Sequence, residues 1–366
     1  MQKNILILGG SRFIGYLIVS ELIKKGHNVT VFNRQISIPP APFPKTTKFI
    51  KGNRDSSKDL EYLFYQEYDA IIDFSGHTYN HVDLIIRKYS SKIGQYIFIS
   101  TVGVYKEPCP NPITEESSLN IINKVMAENL LIDLKEKLPV TIFRPIGVFG
   151  PYDPCLAGLI FYRIINTFPI LIGKNSNVKV THLYVFDLIR ALTLSINNPK
   201  TFGKIFNIAG DDKLNLIEFI NLCGKICSIY PIIKHEEIVT KYNKIDFINK
   251  KRHVDFFTEW PKFNMICSNA LVKKELKIEF TSLEKSLYKT YLWLIADKIR
   301  LNYFSLRGER YILNNQSVPF YQKGFWKTID CSNSFINKFK QILKSVNLLR
   351  KIHQHFKSIM ATRTKS

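Results

Sequence analysis

The chain has 366 residues, a formal net charge of +22 and six scattered cysteines. This length is enough for a sizeable hydrophobic core in one large or two small domains. We expect no transmembrane segment, because no apolar run is long enough, and no signal peptide, because the first strand begins so early. The cysteine pattern predicts reduced thiols in the cytoplasm and no metal site.

The first motif is a glycine-rich turn between a predicted strand and a predicted helix. Residues 5–8 are a short continuous apolar run, typical of a strand buried on both faces of a parallel sheet. A helix follows over residues 16–25 and ends at Gly26. A turn in this position predicts a site for the pyrophosphate of a dinucleotide at the helix N-terminus. The candidate binding residues are Gly9, Gly10, Ser11, Arg12, Phe13, Ile14 and Gly15.

Arg12 holds the middle place of this turn, where a further glycine is usual. A guanidinium beside a pyrophosphate is chemically reasonable, because the two groups form charge-assisted hydrogen bonds. Gly9 then permits the tight turn, and Gly15 permits close packing of the helix on the strand. The alternative is an ordinary buried turn that binds no ligand.

Strands and helices alternate along the first part of the chain. Further strands are predicted at residues 27–33, 48–51, 70–74, 96–100 and 140–144, and helices at 59–65, 81–89 and 120–134. This alternation predicts a doubly wound α/β sheet of parallel strands. We expect a dinucleotide-binding domain over residues 1–150 and a smaller α/β lobe over residues 151–298. The lobe has a predicted strand at 205–208 and predicted helices at 161–168, 185–197, 216–227, 268–276 and 283–295.

Residues 299–366 are a basic tail. From residue 291 onward there are 14 Lys and Arg side chains against three Asp and Glu side chains. Apolar residues recur at spacings of three and four over residues 335–360, where the polar face has no acid, which predicts a basic amphipathic helix. This helix could pack on the protein, bind an anionic membrane surface or contact RNA. We expect peripheral membrane attachment.

Four blocks of sequence together resemble the extended short-chain dehydrogenases/reductases of the NAD-dependent epimerase/dehydratase family. The blocks are residues 9–15, 99–105, 144–151 and 206–210, and the likeness covers about residues 3–295. It implies a Rossmann-type fold, a nicotinamide dinucleotide and a nucleotide-sugar or similar nucleotide-linked substrate. Arg12 and residues 51–55 resemble an atypical branch, the chloroplast stem-loop-binding proteins, which implies RNA as an alternative partner.

The resemblance also implies a catalytic trio of Ser or Thr, Tyr and Lys. Thr101 occupies the first place and Lys124 the third, but Asn120 stands four residues before Lys124, where the tyrosine is expected. An amide is no base near neutral pH, so either another group serves or the reaction is lost. Glu115 and Glu116 are the nearest substitutes in sequence. In the second case Thr101 and Lys124 remain as cofactor contacts only.

Cofactor choice has one clue at the end of the second strand. An NAD site usually has an acid there, which bonds the adenosine ribose, whereas this chain has Asn33 and Arg34. Arg34 would pair with a 2′-phosphate, which favours NADP over NAD; the alternative is a solvated loop residue. The other candidate cofactor-binding residues are Asn53, Arg54, Phe74, Ser75, Gly76, Ser100 and Lys124.

Three histidines, His77, His81 and His182, fall in or near predicted loops, and we interpret them as structural because none belongs to a hydrolase motif. Two classes of function follow from these observations. One is an NADP-dependent reductase or epimerase whose catalytic residues are incomplete at Asn120. The other is a nucleotide-binding scaffold whose basic surface holds RNA.

Overall fold

A sheet of seven parallel strands organises the protein. The computed structural model describes residues 1–35, 39–153, 156–173, 176–235 and 260–296. The strands in chain order are β1 (Asn4–Leu8), β2 (Asn28–Asn33), β3 (Lys48–Lys51), β4 (Ala70–Asp73), β5 (Tyr96–Ile99), β6 (Val140–Pro145), β7 (Val148–Phe149), β8 (Ile170–Ile172), β9 (Val180–Thr181), β10 (Leu183–Tyr184), β11 (Lys204–Ile208), β12 (Lys213–Leu214) and β13 (Ile233–His235). The central sheet has the order β11-β6-β5-β4-β1-β2-β3.

Helices cover both faces of this sheet. They are α1 (Phe13–Lys24), α2 (Ser57–Leu63), α3 (Tyr79–Tyr89), α4 (Asn123–Asp133), α5 (Ala157–Ile165), α6 (Val185–Ser195), α7 (Leu216–Cys227), α8 (Ala270–Leu276) and α9 (Leu283–Ile295). The predicted doubly wound, Rossmann-type α/β fold is therefore confirmed. The alternation of strands and helices was sufficient for this prediction, because parallel strands require a crossover between them.

The buried strand β1 divides the hydrophobic core into two layers. Ile5 and Ile7 contribute to one cluster, which also contains residues of α1 and α6. Leu6 and Leu8 contribute to the other, together with residues of α3 and α4. All four side chains are fully buried, and burying each one stabilises the fold by about 1.5–3 kcal/mol. The continuous apolar run is thus explained by a strand with no solvent-facing side.

One boundary prediction was wrong in a way that affects the site. The helix predicted at residues 120–134 begins only at Asn123. Asn120 instead continues an extended segment, in which Leu119 forms a β-bridge with Tyr105 and the Asn120 amide donates to the Val104 carbonyl at 2.8 Å. Asn120 and Lys124 therefore do not share a helix.

The second lobe contains three small two-stranded sheets, β10-β7, β12-β9 and β13-β8. The helices α5 and α7 pack on each other, and α9 contacts both. Within the described ranges, no helix combines the length and the hydropathy needed to cross a bilayer. The basic tail, with its predicted helix at 335–360, lies outside the described residues.

His182, between β9 and β10, is a buried histidine of this lobe. Its ring centroid lies 4.6 Å from that of Phe219 and 5.8 Å from that of Trp260. Burial lowers the pKa of His182 to about 3, so the folded protein holds a neutral imidazole at neutral pH. The structural role that we expected for His182 fits this packing.

We expect His182 to make the fold sensitive to acid. Unfolding returns its pKa to about 6.5, so between that pH and about 3 the unfolded state binds the extra proton. Stability is then lost as the pH falls, at a limiting slope of about 1.4 kcal/mol per pH unit. The variant His182→Phe removes this contribution. Urea unfolding at pH 7.5 and pH 5.0 should show a smaller acid-induced loss for the variant, and equal losses would contradict the assignment.

Candidate active site

A cavity of about 440 Å³ opens at the carboxyl ends of the central strands. β1 pairs with β2 on one side and with β4 on the other, so the strand order reverses at this point. Ligands of doubly wound sheets bind at such a switch point. The loops after β1, β2, β3 and β4 and the first turn of α3 line it with Gly9, Gly10, Ser11, Arg12, Phe32, Asn33, Arg34, Gln35, Gly52, Asn53, Arg54, Asp55, Phe74, Ser75, His77 and His81.

The glycine turn forms one wall of this cavity. Gly9 and Gly10 have φ angles of +97° and +78°, which side chains rarely adopt. A Cβ atom on Gly15 would lie 2.5 Å from the Gly10 Cα atom. Gly15 is therefore required by the backbone of the turn itself, a closer contact than the helix–strand packing that we expected.

The turn leaves the start of α1 open to the cavity. Arg12 is the N-cap residue, is exposed and makes no side-chain capping bond. Phe13, Ile14 and Gly15 belong to the first turn of α1 and do not line the cavity. Because the first amides of a helix have no intrahelical partner, this geometry fits a pyrophosphate.

A buried ion pair underlies the cavity floor. Arg54 donates from Nη1 to Asp73 Oδ1 at 2.8 Å and from Nη2 to Asp73 Oδ2 at 3.0 Å. It also donates to Ser75 Oγ and to the His81 carbonyl, and the Tyr96 hydroxyl donates to Asp73 at 2.6 Å. Burial alone would raise the pKa of Asp73, but Arg54 and these hydrogen bonds lower it to about 2.

This pair gives Arg54 a role that the sequence did not indicate. Its guanidinium is bound inside the protein, although the residue also lines the cavity. Gly76 packs closely against the same aspartate. A Cβ atom at this position would lie 2.6 Å from both Asp73 Oδ2 and Phe98 Cε2, so a side chain would clash there. A direct contact of Arg54 or Gly76 with a cofactor stays a prediction.

Lys124, on the first turn of α4, is fixed to the loop that follows β4. Its ammonium donates to the Gly76 carbonyl at 2.7 Å and lies 4.6 Å from the centroid of the Phe98 ring. Burial lowers the pKa of Lys124. Thr101 is exposed, and its hydroxyl accepts a bond from the Gly103 amide at 3.2 Å. The Ser100 hydroxyl is buried and has no hydrogen-bond partner among the described residues, which is unusual for a buried polar group.

The two carboxylates suggested for the missing base differ, because Glu116 is exposed, whereas Glu115 and the nearby Tyr105 are bound within the protein. The Tyr105 hydroxyl donates to Asn207 Oδ1 at 2.6 Å and accepts from Arg144 at 2.8 Å, and burial raises the pKa of Tyr105 to about 12. Glu115, whose pKa burial raises, accepts from the Asn207 amide at 2.8 Å. Asn120 donates its side-chain amide to the Tyr105 carbonyl at 2.9 Å. These groups stabilise the loop between β5 and α4.

Two exposed cations lie side by side at the outer end of the cavity. Arg34 and Lys51 line a second depression of about 340 Å³, which Gly52, Asn53 and Asp59 complete. β2 and β3 bring them together, because Asn33 and Lys51 are in register. Neither cation forms an ion pair with the residues that the structure describes, whereas Asn33 is tied to the Gly9 carbonyl at 3.1 Å.

The sequence interpretation missed a histidine pair at the mouth of the cavity. The His77 amide donates to His81 Nδ1 at 3.1 Å, and His81 Nε2 lies 3.1 Å from Asp55 Oδ1. Both histidines line the cavity, as does Asp55. A signal was available, because His77 directly follows Ser75 and Gly76, which were predicted to lie beside the cofactor.

Sheet order, glycine turn and cavity together define a dinucleotide-binding protein of the Rossmann class. A family model described as the NAD dependent epimerase/dehydratase family matches residues 5–209, and the chain belongs to this family. It is 30% identical over 274 residues to the chloroplast stem-loop binding protein of 41 kDa b of Arabidopsis thaliana, covering 68% of this chain and 69% of that protein.

Two other similarities concern sugar-nucleotide enzymes. The chain is 25% identical over 280 residues to UDP-glucose 4-epimerase of Neisseria meningitidis, covering 64% of this chain and 81% of that enzyme. The structure of UDP-glucose 4-epimerase from Thermotoga maritima with UDP-glucose has a TM-score of 0.66 at 20% identity, covering 80% of this chain and 99% of that one. The structural likeness shows the shared fold.

Gly15 provides a direct test of the cavity. We expect Gly15→Ala to lower dinucleotide affinity at least tenfold, because the added methyl group would displace the Gly10 backbone from the turn. The measurement is calorimetric titration with NADP and NAD. Gly26→Asn is the control at the other end of α1, where the surrounding space is open and Asn tolerates the φ of +85°. Unchanged affinity in a folded Gly15→Ala protein would contradict the site.

Proposed function

We propose that the chain binds a nicotinamide dinucleotide in this cavity, prefers NADP over NAD and acts on a nucleotide-linked sugar. The observation that carries the proposal is the glycine turn at the switch point, with Lys124 bound to the neighbouring loop at Gly76. Membership of the family supports the cofactor class, and the similarity to UDP-glucose 4-epimerase supports the substrate class.

Different residues of the site would bind different parts of the cofactor. Gly9, Gly10, Ser11 and the start of α1 would hold the pyrophosphate, and the exposed Arg12 would add a charge-assisted bond. The buried Ser100 hydroxyl has bonding capacity for the nicotinamide half. Lys124 would hold the nicotinamide ribose and Thr101 would orient a substrate hydroxyl, while Asn120, in place of the tyrosine, stabilises the loop. The dinucleotide, when bound, supplies reversible hydride transfer.

NADP preference is supported by the pair Arg34 and Lys51. A 2′-phosphate would meet two cations in the second depression, without the carboxylate that usually binds the ribose of NAD. The nearest acid, Asp59, already accepts a bond from the Asn53 amide at 2.7 Å. An exposed guanidinium with no acidic partner among the described residues is an efficient phosphate ligand.

We expect Arg34→Asp to reverse the preference. Affinity for NADP should fall by roughly 10- to 100-fold, since hydrogen bonds to charged groups contribute about 1.5–3 kcal/mol, whereas affinity for NAD should hold or rise. Both cofactors are titrated against both proteins by calorimetry. Lys137→Asp is the control, a similar charge reversal at an exposed lysine just before β6, three strands away from β1. A wild-type protein that already prefers NAD would overturn the assignment.

A second candidate function is a scaffold that binds RNA. The observation that favours it is the similarity to the chloroplast stem-loop binding protein, together with the net charge of +22 and the missing tyrosine. Residues of the basic tail would supply phosphate contacts, with an anionic membrane surface as their alternative partner.

This candidate is tested on the full chain with Lys338, Lys340 and Lys344 changed together to Gln. RNA binding through the tail predicts weaker, less salt-dependent binding of a short stem-loop RNA by the variant. Membrane attachment instead predicts that only sedimentation with anionic vesicles is reduced. If the variant matches the wild-type protein in both assays, these lysines have neither role.

A further inference from the structure

The site has a nucleotide cavity and a lysine, but Glu115 and Glu116, the nearest acids in sequence, do not line the cavity. Asn120 is an amide, and the hydroxyl of Tyr105 is bound by Arg144 and Asn207. Among the other titratable residues that line the cavity, Arg54 is buried in its pair with Asp73, and His81 is paired with Asp55. His77 is the remaining one whose ordinary pKa lies near neutrality.

The imidazole of His77 is free and its backbone is fixed. No hydrogen bond joins either ring nitrogen to the residues that the structure describes, and the side chain is exposed at the cavity. The backbone amide donates to His81 Nδ1 at 3.1 Å. Because that nitrogen accepts, the proton of neutral His81 lies on Nε2 and faces Asp55. The chain Asp55–His81 thus holds the His77 loop in place.

His77 is also next to the one residue of the family trio that is firmly positioned. The ammonium of Lys124 donates to the carbonyl of Gly76, the residue directly before His77. Partial burial and this ammonium lower the pKa of His77, while Asp73 opposes them and His81 and Arg54 add smaller lowering effects. His77 is therefore mainly neutral at neutral pH, as a proton acceptor must be.

We propose that His77 is the acid–base residue of this site, acting beside Lys124 in the place of the missing tyrosine. This inference rests on the proposed function. In the oxidising direction a substrate carbinol loses its hydroxyl proton to the neutral imidazole and its carbon-bound hydride to the nicotinamide ring, which leaves a carbonyl. In the reducing direction the carbonyl carbon would take the hydride back and the imidazolium would return the proton to the carbonyl oxygen.

The test compares the wild-type protein with His77→Ala and with His27→Gln, a control histidine between α1 and β2. Calorimetry with NADP and NAD comes first, and we expect all three proteins to bind equally within threefold. Reduction of the bound cofactor by UDP-glucose is then followed by absorbance across pH 5–9. We expect His77→Ala to be slowed by roughly 10²- to 10⁴-fold, the usual contribution of general acid–base catalysis.

Two further readouts separate an acid–base role from a merely structural one. The wild-type rate should fall with decreasing pH through the pKa of His77, measured from the imidazole NMR signal that His77→Ala lacks. Added imidazole should restore part of the rate of His77→Ala and leave His27→Gln unchanged.

The outcomes are distinct. If none of the proteins binds a dinucleotide, the proposed function fails. If the wild-type protein binds a dinucleotide but does not react with UDP-glucose, both the substrate class and the role of His77 are overturned. If His77→Ala keeps the wild-type rate and pH profile, only the role of His77 is wrong.

Discussion

The buried pair between Arg54 and Asp73 is the interaction on which the cavity depends. It joins the loop after β3 to the end of β4, and through Tyr96 it reaches β5. The same guanidinium binds Ser75 and the His81 carbonyl, so the loop after β4 and the first turn of α3 share one cation. Removing one partner of such a buried pair usually costs about 3–5 kcal/mol, because the other charge stays buried without compensation.

A second buried pair positions the lysine. Arg144 of β6 bonds to Glu128 with both side chains about 1% exposed, and Glu128 lies one helical turn after Lys124 on α4. This pair fixes the helix against the sheet, and the Lys124 ammonium then meets the Gly76 carbonyl. Arg144 also donates a hydrogen bond to the Tyr105 hydroxyl. The same cation therefore helps to align the lysine, while burial, which outweighs the opposing effect of Arg144, raises the pKa of Tyr105 to about 12.

The sequence was sufficient for the sheet and the glycine turn but not for the polar contacts. Hydrophobic runs such as residues 5–8 and regular alternation define strand and helix types locally, and the switch point follows from them. The start of α4 was misplaced because a tertiary bridge holds Asn120 extended. The inward direction of Arg54 depends on Asp73, 19 residues away, and no local pattern encodes it. His77 was interpreted as structural because it belongs to no hydrolase motif, and the approach of Lys124 to Gly76, the residue before it, depends on the fold.

The cations around the cavity fall into two groups with different consequences. Arg54 is paired with the carboxylate of Asp73, and the ammonium of Lys124 donates to the Gly76 carbonyl, so both side chains are bound within the protein. Arg12, Arg34 and Lys51 are exposed and have no acidic partner among the described residues. A unit charge 4 Å from one such cation gains about 4 kcal/mol at a surface-like dielectric, before the cost of desolvation. The electrostatic attraction for an anion is therefore strongest at the exposed cations, whereas near His77 the charges of Lys124 and Arg54 are opposed by Asp73.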